Sequence, residues 1–178
     1  MTGRLLLETS RGPIALRPEQ DGDRTFLYDL FCSHVLPDIA RLPIDDSTRD
    51  ALVGMQFISQ TTTYRTQFPQ ARFDIIEREG VPIGRLVVDD AGDVACIVDF
   101  ALLPGVRGSG MGSAILACVL APLGERGRAV RSTVVWNNEA SLRMCRRLGF
   151  VHIGGDPPFM QLEWHAGAGS GQPVRPFG

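Results

Sequence analysis

The chain of 178 residues is long enough to bury a core, and we expect one domain spanning residues 1–165. Its formal net charge of −2 gives no basic footprint, so nucleic acid is not an expected partner. The apolar runs are too short for a signal peptide or a membrane-spanning helix, and the four cysteines lack the spacing of zinc ligands. These features predict a cytoplasmic protein that associates with no membrane and holds no metal.

The first half of the chain predicts a strand, two helices and a meander. A strand is expected at residues 14–17, a helix at 23–35 and a proline-containing loop at 36–46. A long helix follows toward residue 67, with Ser47 as its expected N-cap. Its predicted core residues are Leu52, Met55, Phe57, Ile58 and Tyr64. Three alternating apolar runs separated by turn signals then predict antiparallel strands at 72–78, 83–89 and 94–103.

The second half predicts a strand–helix–strand unit and a closing hairpin. A helix is expected at residues 113–120, stopping or kinking near Pro122, and another at 138–148. The expected strands are 129–136, 150–153 and 159–164. Such an order predicts a mixed α/β fold with one parallel crossover. Residues 166–178 are rich in Gly, Ala, Ser and Pro and are expected to form a flexible tail.

The most informative segment is the glycine-rich turn at residues 103–112, between an apolar strand and an apolar helix. Such a turn leaves backbone N–H groups unpaired at a helix N-terminus, where they bind phosphate oxygens. A P-loop is excluded because the chain contains no lysine. A dinucleotide-binding fingerprint is not matched either, because Ser113 occupies its third glycine position and the loop lies past the middle of the chain.

Two motifs together resemble those of the GNAT N-acetyltransferases. Residues 107–112 match the acetyl-CoA loop pattern of that family, Arg/Gln-x-x-Gly-x-Gly/Ala. Residues 138–150 match its second motif, an Asn, an Ala or Ser three residues later, a Tyr four residues after that and a closing Gly-Phe, except that Cys145 replaces the Tyr. The resemblance spans roughly residues 14–164. It implies a mostly antiparallel central sheet flanked by about four helices, with the parallel crossover at the CoA loop.

The resemblance implies that acetyl-CoA is the cosubstrate and that its pyrophosphate lies on the glycine loop. Amides from Val106 to Gly112 would cradle the pyrophosphate, and Arg107 would add charge-assisted contacts. Asn138 would bind the CoA arm, although an N-cap role explains it equally well and can coexist with binding. The expected cofactor-binding residues are Leu102, Leu103, Val106, Arg107, Gly108, Ser109, Gly110, Met111, Gly112, Asn138, Ser141 and Cys145.

Direct attack on the thioester needs a neutral amine, a polarised carbonyl and a proton for the leaving thiolate. The resemblance implies that the N–H of Leu102 or Leu103 polarises the carbonyl and that Cys145 stands where the family has its acid. A core role competes for Cys145, because free cysteines usually behave as small buried hydrophobes. Asp99 is the candidate base, since it interrupts an apolar strand; a structural ion pair with Arg85 is the alternative.

The resemblance also implies where the acceptor binds, between the first helices, the loop that joins them and the last hairpin. The residues expected there are Phe31, His34, Tyr64, Phe68 and Phe159, each of which also has a structural explanation. Neither the acceptor nor the oligomeric state follows from the sequence, and a homodimer is left open.

The expected function is acetyl-CoA-dependent N-acetyltransfer to a primary amine of a small molecule or peptide. Two alternatives belong to other classes of protein. The missing Tyr would suit a non-catalytic acyl-CoA-binding or regulatory module. A glycine loop after a strand, taken alone, would suit a nucleotide-dependent oxidoreductase.

Overall fold

One eight-stranded sheet runs through the part of the chain that the structure, a computed structural model, describes: residues 3–167. Its strands are β1 (Leu5–Thr9), β2 (Gly12–Pro18), β3 (Arg72–Arg78), β4 (Val81–Asp89), β5 (Ala95–Leu102), β6 (Val130–Val135), β7 (Val151–Gly154) and β8 (Phe159–Trp164). The order across the sheet is β1-β2-β3-β4-β5-β6-β8-β7, and every neighbouring pair is antiparallel except β5 with β6. The predicted mixed α/β fold with one parallel crossover is therefore confirmed.

Four α-helices accompany the sheet within residues 3–167: α1 (Arg24–Ile39), α2 (Asp46–Gln67), α3 (Met111–Glu125) and α4 (Glu139–Leu148). Two of them extend beyond their predicted ends, because α1 includes Pro37 and α3 includes Pro122. In both helices a buried apolar residue follows the proline, so packing outweighs the lost backbone hydrogen bond. Asp45, not Ser47, caps α2, since its carboxylate accepts from the N–H of Thr48 at 2.9 Å.

Side-chain alternation along β3 separates two apolar layers. Ile75 packs with Leu27 of α1 and Phe57 of α2 on one face of the sheet. Its neighbour Ile76 points to the other face, where it joins Ile115 of α3 in the main core. We call these the α1–α2 face and the α3 face.

The prediction of which α2 side chains are buried is partly wrong. Phe57 is buried as expected, but Met55 and Ile58 are 69% and 57% exposed. The buried partner of Phe57 on α2 is Val53, one turn earlier, because residues i and i+4 share a helix face. Tyr64 is half-buried.

The sequence analysis did not predict β1, which forms a hairpin with β2. Leu7 of β1 reaches the main core, and the hydroxyl of Thr9 donates to the carbonyl of Gly12 at 2.7 Å to close the turn. The Sγ of Cys118 on α3 donates to the carbonyl of Glu8 at 3.4 Å. The hairpin is therefore packed against α3.

A network of ion pairs fixes the segment that leads into α1. Arg17 of β2 donates to both carboxylate oxygens of Asp23, at 2.6 and 2.7 Å, and through Nε to Glu77 of β3 at 2.7 Å. The hydrogen bonds from Arg17 hold the pKa of Asp23 below its usual value, against the opposing effect of burial. Such bidentate geometry holds the start of α1 against β2 and β3.

The sequence also predicts a C-terminal tail and no membrane-spanning helix. The predicted tail at residues 166–178 lies outside the described residues from residue 168 onward. Within residues 3–167, no helix is long and apolar enough to span a membrane.

We predict that Gly84→Ala destabilises the fold. A Cβ at Gly84 in β4 would lie 2.3 Å from the carbonyl oxygen of Ala101 and 2.7 Å from a methyl group of Leu102. Relieving these clashes must move β5, so the free energy of unfolding should fall by about 2 kcal/mol or more in urea denaturation.

Gly54→Ala is the matched control for this substitution. Gly54 lies within α2, and a Cβ there would meet nothing within 4 Å. This variant should gain about 0.5–1 kcal/mol from the loss of glycine's backbone freedom in the unfolded chain. Equal stabilities of the two variants would contradict the close approach of β4 and β5.

Candidate functional site

A cleft opens between the parallel strands β5 and β6. The two strands pair only where Ala95, Cys96 and Ile97 face residues 130–132. Directly after Ile97 the pairing of β5 with β4 shifts by one residue, so that Val98 is an extra residue in β5. Such a bulge bends a strand and increases its twist, which carries β5 away from β6. The two strands therefore separate after residue 97, which leaves the backbone of the second half of β5 accessible on one side.

The backbone of Leu102 points into this cleft. The N–H of Leu103 donates to the carbonyl of Ile83 at 2.9 Å. Hydrogen-bonded and non-hydrogen-bonded pairs alternate along antiparallel strands, so the next pair, Gly84 with Leu102, has no mutual hydrogen bonds. The N–H and C=O of Leu102 therefore point away from β4. Leu103 was predicted as an alternative donor to the thioester, and that prediction is wrong because its N–H is already bonded. Leu102 remains the candidate.

The glycine loop contains fewer unpaired amides than predicted. Its first residues form a 3₁₀ turn in which the N–H of Val106 donates to Leu103 and that of Arg107 donates to Pro104, at 2.9 and 3.2 Å. These two predicted amides are therefore not free, and the N–H of Met111 donates to the hydroxyl of Ser109 at 3.3 Å. Between residues 108 and 113, the amides without a partner among the described residues are those of Gly108, Ser109, Gly110, Gly112 and Ser113.

These unpaired amides lie at the N-terminus of α3, where the helix dipole favours anions. Gly110 is the N-cap, and its φ of +83° is accessible to glycine at little cost. A Cβ at Gly112 would lie 3.1 Å from the Sδ of Met144 and 3.3 Å from the ring of Phe100. Glycine at position 112 thus lets α3 lie close to α4 and β5. The unpaired amides at the start of α3 fit a pyrophosphate group.

Arg107 was predicted to contact phosphate at the N-terminus of α3, but its side chain is directed elsewhere. Its Nε donates to the carbonyl of Leu102 at 2.8 Å, and its Nη2 donates to the hydroxyl of Ser33 on α1 at 2.8 Å. Partial burial lowers the pKa of this guanidinium. The side chain therefore ties the loop to α1 and to the end of β5.

Arg11, which the sequence analysis missed, lies beside the loop instead. A Cβ on Gly110 would lie 3.1 Å from the Nη2 of Arg11 and 3.2 Å from its Nε. The side chain comes from the β1–β2 turn, which is brought there by the packing of the hairpin on α3. The only signal in the sequence is the turn itself, at residues 10–12, and nothing in the sequence places that turn near Gly110.

The N-terminus of α4 lies at the same end of the sheet. The Oδ1 of Asn138 accepts from the N–H of Ser141 at 3.1 Å, so the N-cap explanation of Asn138 is confirmed. Its amide nitrogen is not used in the cap. Arg147 donates to the hydroxyl of Ser113 at 3.3 Å and connects α4 to the first turn of α3.

Cys145 on α4 belongs to the main core. It is buried, and burial raises the pKa of its thiol to about 11. The thiol therefore stays protonated at neutral pH and is a weaker acid than an ordinary thiol, whose pKa is about 8.5. These properties favour the core explanation over the predicted acid role.

Asp99 forms the ion pair with Arg85 that was the alternative to its role as a base. The Nε of Arg85 donates to the Oδ2 of Asp99 at 2.8 Å on the α1–α2 face. The guanidinium carbon lies 5.6 Å from the ring centre of Tyr64 on α2. Burial raises the pKa of Tyr64 to about 12, with a further increase from Asp99 and a decrease from Arg85.

His34 on α1 completes this group, which we call the polar cluster: His34, Tyr64, Arg85, Asp99 and Arg107. The pKa of His34 lies below its ordinary value because of desolvation and the nearby Arg107 cation. Asp99 and a hydrogen bond with the Leu102 backbone oppose that shift. His34 is exposed as a residue, and its hydrogen bond with the Leu102 backbone places the imidazole close to the cleft. The lowered pKa favours the neutral imidazole near pH 7.

The other predicted acceptor residues lie elsewhere. Phe31 packs against Phe57 with ring centres 5.5 Å apart, and Phe68 caps the C-terminus of α2. Phe159 is 52% exposed and lines a separate cavity of about 730 Å³ beside α4, with Trp136 and Met160. Only His34 and Tyr64 of the five therefore meet in the polar cluster. Within residues 3–167, no three His, Cys, Asp or Glu side chains are grouped so that they could hold a metal ion.

Comparison with solved structures gives relatives that match most of this chain. PaiA N-acetyltransferase from Thermoplasma acidophilum, in complex with coenzyme A, is 13% identical, with a TM-score of 0.63 over 84% of this chain and 97% of that one. RimJ from Mycobacterium smegmatis, in complex with CoA-disulfide, is 19% identical, with a TM-score of 0.60 over 92% and 87%. FdhC, described as a nucleotide-linked sugar GNAT, is 16% identical, with a TM-score of 0.64 over 93% and 91%. At these identities the likeness establishes the fold alone.

The family assignment comes from the sequence. No curated protein sequence matches the chain. A family model, described as the acetyltransferase (GNAT) family, matches residues 38–150. That segment covers more than half of the chain and contains the cleft strands, the glycine loop and the Asn138 motif. The chain therefore belongs to the GNAT acetyltransferase family.

Proposed function

We propose that the protein is an acetyl-CoA-dependent N-acetyltransferase that acetylates a primary amine of a small molecule or peptide. The observation that carries this proposal is the cleft beside β5, with the N–H of Leu102 directed into it and unpaired amides at its glycine-loop end. Family membership and the CoA-bound PaiA and RimJ structures support CoA as the ligand.

The phosphate end of CoA would be held by the chain's own donors. Amides of Gly108, Ser109, Gly110 and Gly112 would bind the pyrophosphate at the α3 N-terminus, and Arg11 would add positive charge. The backbone groups of Phe100, which like those of Leu102 point away from β4, would pair with the amides of the pantetheine arm.

In the reaction, the N–H of Leu102 would donate to the thioester carbonyl and stabilise the charge that develops there. We assign His34 as the base that accepts the proton of the attacking amine. Its lowered pKa keeps the imidazole neutral, and it lies near the Leu102 backbone. Asp99, predicted as the base, is less suited because Arg85 already occupies one of its oxygens. The negative charge of Asp99 would instead favour the protonated form of His34 that arises during the reaction.

A second candidate function is a non-catalytic acyl-CoA-binding module. It is favoured by one observation, the burial of Cys145, which leaves the leaving thiolate without a suitable side-chain acid at the family's position. In the catalytic proposal, water reaching the open cleft supplies that proton. No feature of the site favours the nucleotide-dependent oxidoreductase.

Ligand binding and turnover test the proposal. Acetyl-CoA and CoA should raise the melting temperature, whereas NAD and ATP should not, because a ligand stabilises the state that it binds. Thiol release from acetyl-CoA should then be accelerated by members of a primary amine panel. No stabilisation by either CoA species would refute the proposal, and stabilisation without amine-dependent release would favour the binding module.

Arg11→Ala tests the position of the pyrophosphate. The loss of a charge-assisted contact should weaken CoA about five- to tenfold in calorimetry, and less at high salt. Affinity for acetyl-pantetheine, which lacks the pyrophosphate, should not change. Arg78→Ala, at an exposed arginine at the end of β3, is the control and should bind CoA normally. Equal CoA affinity of the Arg11 and Arg78 variants would show that the phosphates lie elsewhere.

His34→Gln tests the base. We expect kcat/KM to fall at least about tenfold at neutral pH, because glutamine cannot accept the proton. In the ratio of wild-type to variant kcat/KM, the titration of the acceptor amine cancels. Because the pKa of His34 is lowered, this ratio should stay constant at neutral and higher pH and decline only at acidic pH, as His34 becomes protonated.

Asp99→Asn provides the comparison for that experiment. This variant should lower the melting temperature, since it leaves the guanidinium of Arg85 without its carboxylate, and it should retain the decline in kcat/KM at low pH. A larger loss of kcat/KM in Asp99→Asn than in His34→Gln, at an unchanged melting temperature, would identify Asp99 as the base instead.

A further inference from the structure

Three buried polar atoms on the α1–α2 face lack hydrogen-bond partners among the described residues. They are the Nη2 of Arg85, the Oε2 of Glu19 and the Oγ1 of Thr61. The side chains of Arg85 and Glu19 are only 6% and 13% exposed. A buried polar group without a partner destabilises a fold, so three in one region call for an explanation.

All three residues line one cavity. Its volume is about 410 Å³, within the range of small-molecule sites. Its walls come from the segment before α1, from α1 and α2, and from β4, which contributes Arg85 at the base. The apolar part of the lining is formed by Leu27, Phe57 and Ile58.

The charges of the lining are already balanced within the protein. Arg85 is paired with Asp99, and the other oxygen of Glu19 accepts from Arg65 at 2.6 Å. A ligand with a net charge would therefore upset this balance, whereas a ligand with one acceptor group and one donor group would not. The exposed lining residues Asp21 and Arg24 add one acidic and one basic group.

We propose that this cavity binds a small zwitterion of the amino-acid type with an apolar side chain. The carboxylate accepts a hydrogen bond from the Nη2 of Arg85, and the ammonium group donates to the Oε2 of Glu19. The hydroxyl of Thr61 bonds to the carboxylate. The apolar side chain packs against Leu27 and Phe57.

The cavity is separate from the acetyl-CoA cleft but adjoins the polar cluster. Leu27 precedes His34 by seven residues of α1, about 10 Å along the helix. A carboxylate on Nη2 would share the guanidinium of Arg85 with Asp99. Binding in the cavity does not require acetyl-CoA, so it can be tested independently of the proposed acetyl transfer.

The test is calorimetry on the full chain without acetyl-CoA. L-Leucine and L-phenylalanine, at millimolar concentration, are the probes. Isopentylamine lacks the carboxylate of leucine, and 4-methylpentanoate lacks its ammonium group. At least one amino acid should bind, and both leucine analogues should bind at least tenfold more weakly than leucine. Absence of binding by both amino acids, or equal binding of the analogues, would overturn the proposal and leave only water in the cavity.

Two variants locate the ligand. Thr61→Val keeps the shape of the side chain but removes the hydroxyl, and it should weaken binding about fivefold without lowering the melting temperature. Glu19→Gln can retain its bond with Arg65 but turns the free acceptor into a donor, so binding should fall at least tenfold. Thr63→Val, at an exposed position on α2 outside the cavity, should bind normally. Equal affinities of the Thr61 and Thr63 variants would contradict the site.

Discussion

The separation of β5 from β6 is the constraint on which the candidate site depends. It begins where Val98 forms a bulge against β4, immediately after the last pair between the two parallel strands. The bulge also reverses the side-chain alternation of β5, so that Ile97 faces α3 while Asp99 faces α1 and α2. One extra residue thus opens the cleft that we propose for CoA and turns a carboxylate toward the side from which the acceptor would approach.

The surrounding elements hold that opening in place. Arg107 connects the carbonyl of Leu102 to Ser33 on α1, and Arg147 connects α4 to the first turn of α3. The arginine proposed to bind phosphate and the arginine that holds the loop in position are therefore different residues. Arg107 stabilises the position of the loop, whereas Arg11, from a hairpin at the far edge of the sheet, lies beside the N-terminus of α3 where a phosphate would bind.

The fold and the cofactor loop were predictable because they depend on local patterns. Alternating apolar residues gave the meander, and the glycines at positions 108–112 gave the unpaired amides. The polar cluster was not predictable in the same way. Its five members come from α1, α2, β4, β5 and the glycine loop, and the partner of Arg107 depends on tertiary packing. The bulge at Val98 also has no signature in the sequence, because the run of apolar residues reads the same with or without it.

Backbone amide chemical shifts during a CoA titration, measured by ¹⁵N NMR, test the central claim most directly. Large shifts are expected for Gly108, Gly110, Gly112 and Leu102, whose N–H groups have no partner among the described residues and are proposed to bind CoA. A small shift is expected for Leu103, whose N–H is bonded to Ile83. A large shift at Leu103 with none at Leu102, or shifts confined to strands away from the cleft, would contradict that claim.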